Sequence, residues 1–377
     1  MPVSRKSTCG RPDRPATIRQ VTVPRKHLSR TDLAPLAHAA LGPTRTLTAV
    51  ARLRGGTRKG VYRLAFEDGT TAVAYVWSAE EDYWDTTATA TATDPADPGG
   101  PGDPHDPHDP ADPRDPFSHA TGLDLFTAAH DRLAAAGVRT PRLLYADASH
   151  THLPADAAIV EDLAGDSLEA LLSRDPQAAP RAMERFAELL GTLHAVTGPR
   201  FGKVGLVDSG GSSHDSACAR RVADGALRSI ETVAVRDPRI GAVREELADL
   251  VRELAAEVRP RSRHTLIHGE LGPDHVLLTP DGQPALIDIE GLLYADVEHE
   301  HVFLRLRFGR HYDALRVPDR DGLDDHRLRL YRLAMHLGLV AGPLRLLDGD
   351  YPDPAPMRAI AEHNLREVIS LLRAAAS

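Results

Sequence analysis

The sequence predicts an α+β protein with a small antiparallel sheet lobe, a hinge, and a larger, mostly helical lobe. Strand-like runs crowd the start of the chain, at 46–53, 61–66 and 71–77, and helical patterns dominate after residue 165. A glycine-rich turn, Gly55-Gly56-Thr57-Arg58-Lys59-Gly60, joins the first two strands. Farther along, two short apolar runs each lead to an acid, in Ile267-His268-Gly269-Glu270 and in Ala285-Leu286-Ile287-Asp288.

Residues 1–27 are rich in Arg and Pro with little periodicity, and read as a mobile basic tail. Residues 28–41 have apolar spacing suited to a short helix, with Thr31 or Asp32 near its start. The three strands follow, with Asp68-Gly69 as the turn between the second and third. Proline then recurs at every third position from Pro95 to Pro116, and Asp precedes seven of those eight prolines. Proline fixes φ and keeps the preceding residue out of the helical region. The repeat is therefore expected to run as polyproline II, roughly 70 Å long at about 3.1 Å per residue. It reads as a solvated acidic insertion at about 86–117. A helix at 121–136 ended by Gly137, and strands at 142–146 and 157–160, complete a first lobe taken as 28–160. The chain then passes through Glu161-Asp162-Leu163 into a helix capped by Asp166 or Ser167. The second lobe, 161–377, carries helices at 181–196 and about 215–235, 241–258, 298–308, 324–340 and 356–375.

Composition excludes several classes. No run of about 18 apolar residues occurs, so no membrane partner is expected. The net charge of −9 argues against nucleic acid as the main partner. The N-terminus is basic but has no apolar core of a secretory signal. Cys9 and Cys218 are too few for a disulfide framework, so a reducing cytoplasm is the expected location. Oligomeric state is not legible.

The two acids, joined through the turn Pro280-Asp281-Gly282, are read as the tips of one hairpin pointing into the same space. That geometry suits one acid handling a hydroxyl proton while the other holds a cation beside a phosphate. The bland alternative is a surface hairpin with solvated acids. A glycine turn between strands lets backbone N–H groups approach a phosphate, though a plain tight hairpin wants glycine too.

Together these segments resemble the catalytic and metal-binding loops of the aminoglycoside phosphotransferase family, the kinase-like small-molecule kinases. That family's catalytic loop reads His-Gly-Asp, four residues, then Asn; its metal loop reads Ile-Asp, an aromatic and an acid. Here His268 and Gly269 match, Glu270 stands at the catalytic Asp, and His275 stands at the metal-binding Asn. Asp288 matches the metal-binding Asp, Glu290 the acid after it, and Glu300 stands where a structural Asp is usual. The resemblance covers about residues 46–305 without the insertion.

It implies a protein-kinase-like two-lobed fold and an ATP-dependent phosphotransferase acting on a hydroxyl of a small molecule. Glu270 is then the candidate catalytic base, and Asp288 with His275 the candidate ligands of Mg²⁺ or, given the imidazole, of Mn²⁺. Gly55, Gly56, Lys59 and Gly60 would cover the ATP phosphates, and the backbone of Glu161 and Leu163 would meet adenine. A kinase-like third strand normally carries a phosphate-holding Lys, but here Tyr75 occupies that place. Lys59, helped by Arg58, is the expected substitute; the alternative is that both are solvated loop-tip residues. With Glu270, His275 and Tyr75 all altered, the competing reading is a nucleotide-binding pseudokinase with a regulatory or partner-binding role.

Overall fold

Leu47–Arg52 (β1), Gly60–Phe66 (β2), Thr71–Trp77 (β3), Leu143–Asp147 (β4) and Asp156–Glu161 (β5) pair as one antiparallel sheet, in the order β1-β2-β3-β5-β4. The structure is a computed structural model describing residues 25–53, 56–84, 112–175, 177, 179–214, 217–317 and 320–376. β3 is buried along Ala72–Val76 because the sheet has a core on each face. Side chains alternate across a strand. Ala72, Ala74 and Val76 thus join Tyr62, Leu64 and Leu36 of the helix Arg30–Leu41. Val73 and Tyr75 join Phe126 and Leu133 of the helix Leu123–Ala135. The first helix starts at Arg30, next to Thr31 and Asp32, and is capped by Ser29. Its hydroxyl accepts from the Asp32 N–H, and the Asp32 carboxylate accepts from the Ser29 N–H, a reciprocal capping box.

The second region is mostly helical, with long helices at Ala179–Ala195, Cys218–Ala234, Arg244–Glu257, Val297–Phe308, Asp325–Leu346 and Pro354–Ala375. Its strands are short: Thr197–Gly198 (β6), Gly202–Lys203 (β7), His264–Ile267 (β8), Val276–Leu278 (β9), Pro284–Leu286 (β10) and Leu293–Ala295 (β11). β9 and β10 form a hairpin, and the others a small sheet in the order β6-β8-β11-β7. One hydrophobic core runs from Val73 and Tyr75 through Val160 to Leu266, Val276, Leu286 and Phe308, so both regions share it. No described helix is long and apolar enough to cross a membrane.

Three expectations change. Glu270 is not at a hairpin tip: it follows β8, the hairpin comes next, and Asp288 follows the hairpin. The tail expectation for residues 1–24 lies outside the described residues, but Arg25 is anchored. Its guanidinium donates to both Asp350 oxygens at 2.7 and 2.9 Å and stacks on Tyr83 at 4.4 Å. Most of the Asp-Pro insertion, 85–111, also lies outside them. Its end is not solvated: Asp112 and Asp115 are buried, Asp115 bonds the buried Arg221, and Asp112 pairs with His214.

Candidate active site

The small sheet sets the site. Leu293 of β11 pairs with Ile267 of β8 on one side and with Lys203 of β7 on the other. The loop after β8 is held by the buried Glu300, whose carboxylate accepts from the His268 N–H at 3.0 Å and the Gly269 N–H at 2.8 Å. Glu300 thus ties the loop down from the helix Val297–Phe308. His268 Nε2 lies 3.0 Å from the Ile287 carbonyl, coupling this loop to the one after β10. His275 Nδ1 lies 2.9 Å from the Glu270 carbonyl, and its Nε2 is 3.8 Å from Asp288 Oδ2. The Glu270 residue itself is exposed. Asp288 has φ 59° and ψ 50°, left-handed backbone that is uncommon for a non-glycine residue but open to Asp. In this conformation Asp288 reaches toward the glycine-rich turn.

Lys59 is buried and meets it there. Its ammonium donates to Asp288 Oδ1 at 2.9 Å and to Glu290 Oε1, and lies 5.0 Å from the centre of the Tyr75 ring. Lys59 lies in the bend just before β2, whose Val61 pairs with Tyr75. The lysine absent from β3 is thus supplied from the turn that leads into β2. Burial would lower the Lys59 pKa, but Asp288 and Glu290 outweigh it and hold the ammonium charged. Lys59 in turn, helped by His275, keeps Asp288 well below the usual carboxylate range. Gly56 has φ +73°, and a Cβ there would stand 2.6 Å from the Lys59 carbonyl, so the turn that delivers Lys59 requires glycine. At Gly60 a Cβ would stand 2.6 Å from Tyr62 and 2.8 Å from Glu81, which makes this glycine a packing requirement.

A group of cations lines the flank beside Glu270. Arg58 stacks at 4.9 Å over Trp84, whose indole N–H donates to Thr57 at 2.8 Å and whose ring stacks on His119 at 4.4 Å. Burial pushes the Arg58 guanidinium down to about 10. Lys203 is only 2% exposed, and burial pushes its ammonium down to about 8, with Glu270 its strongest opposing neighbour. Burial, joined by Arg58, Arg345 and Lys203, pushes His119 down to about 3, so it is neutral at pH 7.

The expected residues fall into two groups. Gly56, Lys59, His275 and Asp288 meet in one place, with Glu270 at its edge. Gly55 lies outside the described residues. The Glu161 carboxylate turns away: Arg139 donates to it at 2.6 Å, and the Arg142 N–H at 3.1 Å. Glu161 and Leu163 also line a cleft of about 640 Å³ with Arg139, Arg185 and Thr279, which excludes Lys59, Glu270 and Asp288. Among the described residues no three His, Cys, Asp or Glu side chains form a metal cage. Sequence reasoning missed Trp84, His119 and Lys203. One signal for Lys203 was present: of 45 Lys and Arg residues only four are Lys, and both of those outside the first 26 residues are buried at this site.

The model of the phosphotransferase enzyme family named APH matches residues 111–339, more than half of the chain. Among solved structures, a thermostable mutant of aminoglycoside phosphotransferase APH(4)-Ia in ternary complex with AMP-PNP and hygromycin B is 17% identical with a TM-score of 0.56, covering 88% of this chain and 97% of that one. The GDP and kanamycin complex of APH(2")-IIia is 16% identical with a TM-score of 0.55, covering 91% and 98%. LicA in complex with AMP is 11% identical with a TM-score of 0.54, covering 92% and 99%. No curated protein sequence matches.

Proposed function

The chain belongs to the phosphotransferase enzyme family, and from that membership we propose that it is an ATP-dependent phosphotransferase moving the γ-phosphate to a hydroxyl of a small molecule. The observation that supports this most is Lys59, buried between Asp288 and Glu290 at the mouth of the glycine-rich turn. Phosphoryl transfer needs positioning and charge neutralisation more than covalent chemistry. A buried ammonium beside an acid supplies both.

In this reading Glu270 accepts the proton of the acceptor hydroxyl, and its exposure leaves room for that substrate. Lys59 moves from Asp288 to the ATP phosphates when nucleotide enters. The donor set fits a divalent ion: magnesium shared with phosphates takes only one or two carboxylates from the protein and keeps water ligands, so no closed cage is needed. Asp288 would hold Mg²⁺ or Mn²⁺, with His275 beside it, and the ion would neutralise phosphate charge. The Leu163 backbone N–H, in the stretch after β5, donates no hydrogen bond among the described residues, which suits a nucleobase partner.

The test is thermal shift with AMP-PNP and Mg²⁺ or Mn²⁺, then ADP release over a panel of hydroxylated acceptors. Glu270→Gln should lower turnover by about 10²–10⁴ and leave AMP-PNP affinity unchanged. Asp288→Asn should abolish the metal-dependent part of the shift. A second reading, nucleotide binding without turnover, is favoured by the same Lys59–Asp288 pair, which occupies a metal ligand. Under it no acceptor is phosphorylated, and Glu270→Asp with His275→Asn gains ATP hydrolysis. Absence of any AMP-PNP shift would sink both.

A further inference from the structure

We propose that Lys203 and Arg58 form an anion-binding subsite beside Glu270, so that the acceptor carries a carboxylate or phosphate near the hydroxyl it presents. This rests on the phosphotransferase reading and names its substrate class. Lys203 ends β7, two strands from the loop that carries Glu270, and is 2% exposed. Among the described residues its ammonium has no hydrogen-bond or ion-pair partner, whereas Lys59 has two carboxylates. Its Nζ is not among the fully buried polar atoms that lack a partner, so the ammonium tip reaches the surface, where an anion can complete it.

The surroundings specify what completes it. The acids within electrostatic reach of Lys203 are Glu270, Asp115 and Glu290. Asp115 is bonded to Arg221 and Glu290 to Lys59, so each already has a cation beside it. Glu270 is the group kept for the acceptor hydroxyl. On the cationic side stand Arg58, whose ion pair to Asp82 is long at 3.7 Å, and Arg345, 6.0 Å from the Trp84 ring that Arg58 also covers. His119 is stacked on that ring, which Arg58 and Arg345 also approach, and Lys203 lies within electrostatic reach of the same imidazole. An anion there pairs with Lys203 and Arg58 and leaves its hydroxyl toward Glu270. An amine there meets three like charges, a built-in rejection of cationic acceptors.

The test uses the full chain saturated with AMP-PNP and Mg²⁺, and calorimetric binding of gluconate, glucose 6-phosphate, glucose and glucosamine. The two acids separate carboxylate from phosphate. At least one should bind tenfold or more tightly than glucose, and glucosamine more weakly than glucose. Lys203→Met should erase the acid preference without changing AMP-PNP affinity, and Lys203→Arg should retain most of it; melting curves confirm that each variant is folded. The proposal is overturned if neither acid outbinds glucose, or if glucosamine binds as well as the acids. It is also overturned if Lys203→Met weakens AMP-PNP instead, which would assign Lys203 to the nucleotide. Should AMP-PNP itself not bind wild type, the phosphotransferase reading fails, and the acid preference is measured without nucleotide.

Discussion

Replacing Lys203 by Met should stabilise the protein at neutral pH, which is unusual for a residue in a candidate active site. The magnitude follows from burial. Lys203 is 2% exposed, and burial lowers its ammonium from 10.5 to about 8. A gap of about 2.5 units at about 1.36 kcal/mol each is about 3 kcal/mol. Below about pH 8 the ammonium is charged in both the folded and unfolded states, and the full penalty opposes folding. Between about 8 and 10.5 the folded state gives up the proton first, and the penalty shrinks; above 10.5 it is gone. Met keeps much of the volume and never carries charge, so its advantage is greatest near pH 7 and fades through that window. With an unfolding entropy of about 2.1 cal/mol/K per residue over roughly 300 ordered residues, about 3 kcal/mol corresponds to a Tm rise of roughly 5 °C. Melts by circular dichroism at pH 7, 9 and 10.5 read both the gain and its decay. A fall in Tm at pH 7, or a gain independent of pH, would refute the burial of an uncompensated charge.

Two further perturbations probe the parts around it. Lys59→Met should raise the Kd for AMP-PNP at least tenfold, and adding Tyr75→Lys should recover much of that loss, because the Lys59 ammonium lies 5.0 Å from the centre of the Tyr75 ring; titration of the two variants decides, and a double variant no better than the single would show that the positions are not equivalent. Asp115→Ala should cost on the order of 3 kcal/mol by leaving Arg221 buried beside a lost acid; an unchanged Tm would mean that the end of the Asp-Pro segment is as solvated as its sequence suggests.

Local signals were readable where chemistry and pattern coincide. The meander β1-β2-β3 follows from alternation and from Asp68-Gly69, whose glycine has φ +78°. The His268–Asp288 stretch was readable because its spacing is set by a short hairpin. What escaped depends on distant contacts. Nothing local to Glu161 announces that its carboxylate accepts from Arg139 and the Arg142 N–H, about twenty residues earlier in the chain. Asp112 and Asp115 share the repeat of the solvated insertion, yet burial against His214 and Arg221 claims them. Nothing local marks those two aspartates out from the five before them.

The lysines show how far composition reaches when side-chain chemistry is added. An Arg-rich chain that keeps only two lysines after residue 26, and buries both at one site, uses them where a compact ammonium does what a guanidinium fork does not. The two have opposite surroundings. Lys59 is satisfied by Asp288 and Glu290, and so stays charged and must exchange a carboxylate for a phosphate to act. Lys203 has no such carboxylate among the described residues, and so stays poised for an anion that arrives with the substrate. Loss of the third-strand lysine therefore need not mean loss of activity. The charge has moved to the turn before β2, and a second cation is held where the acceptor enters.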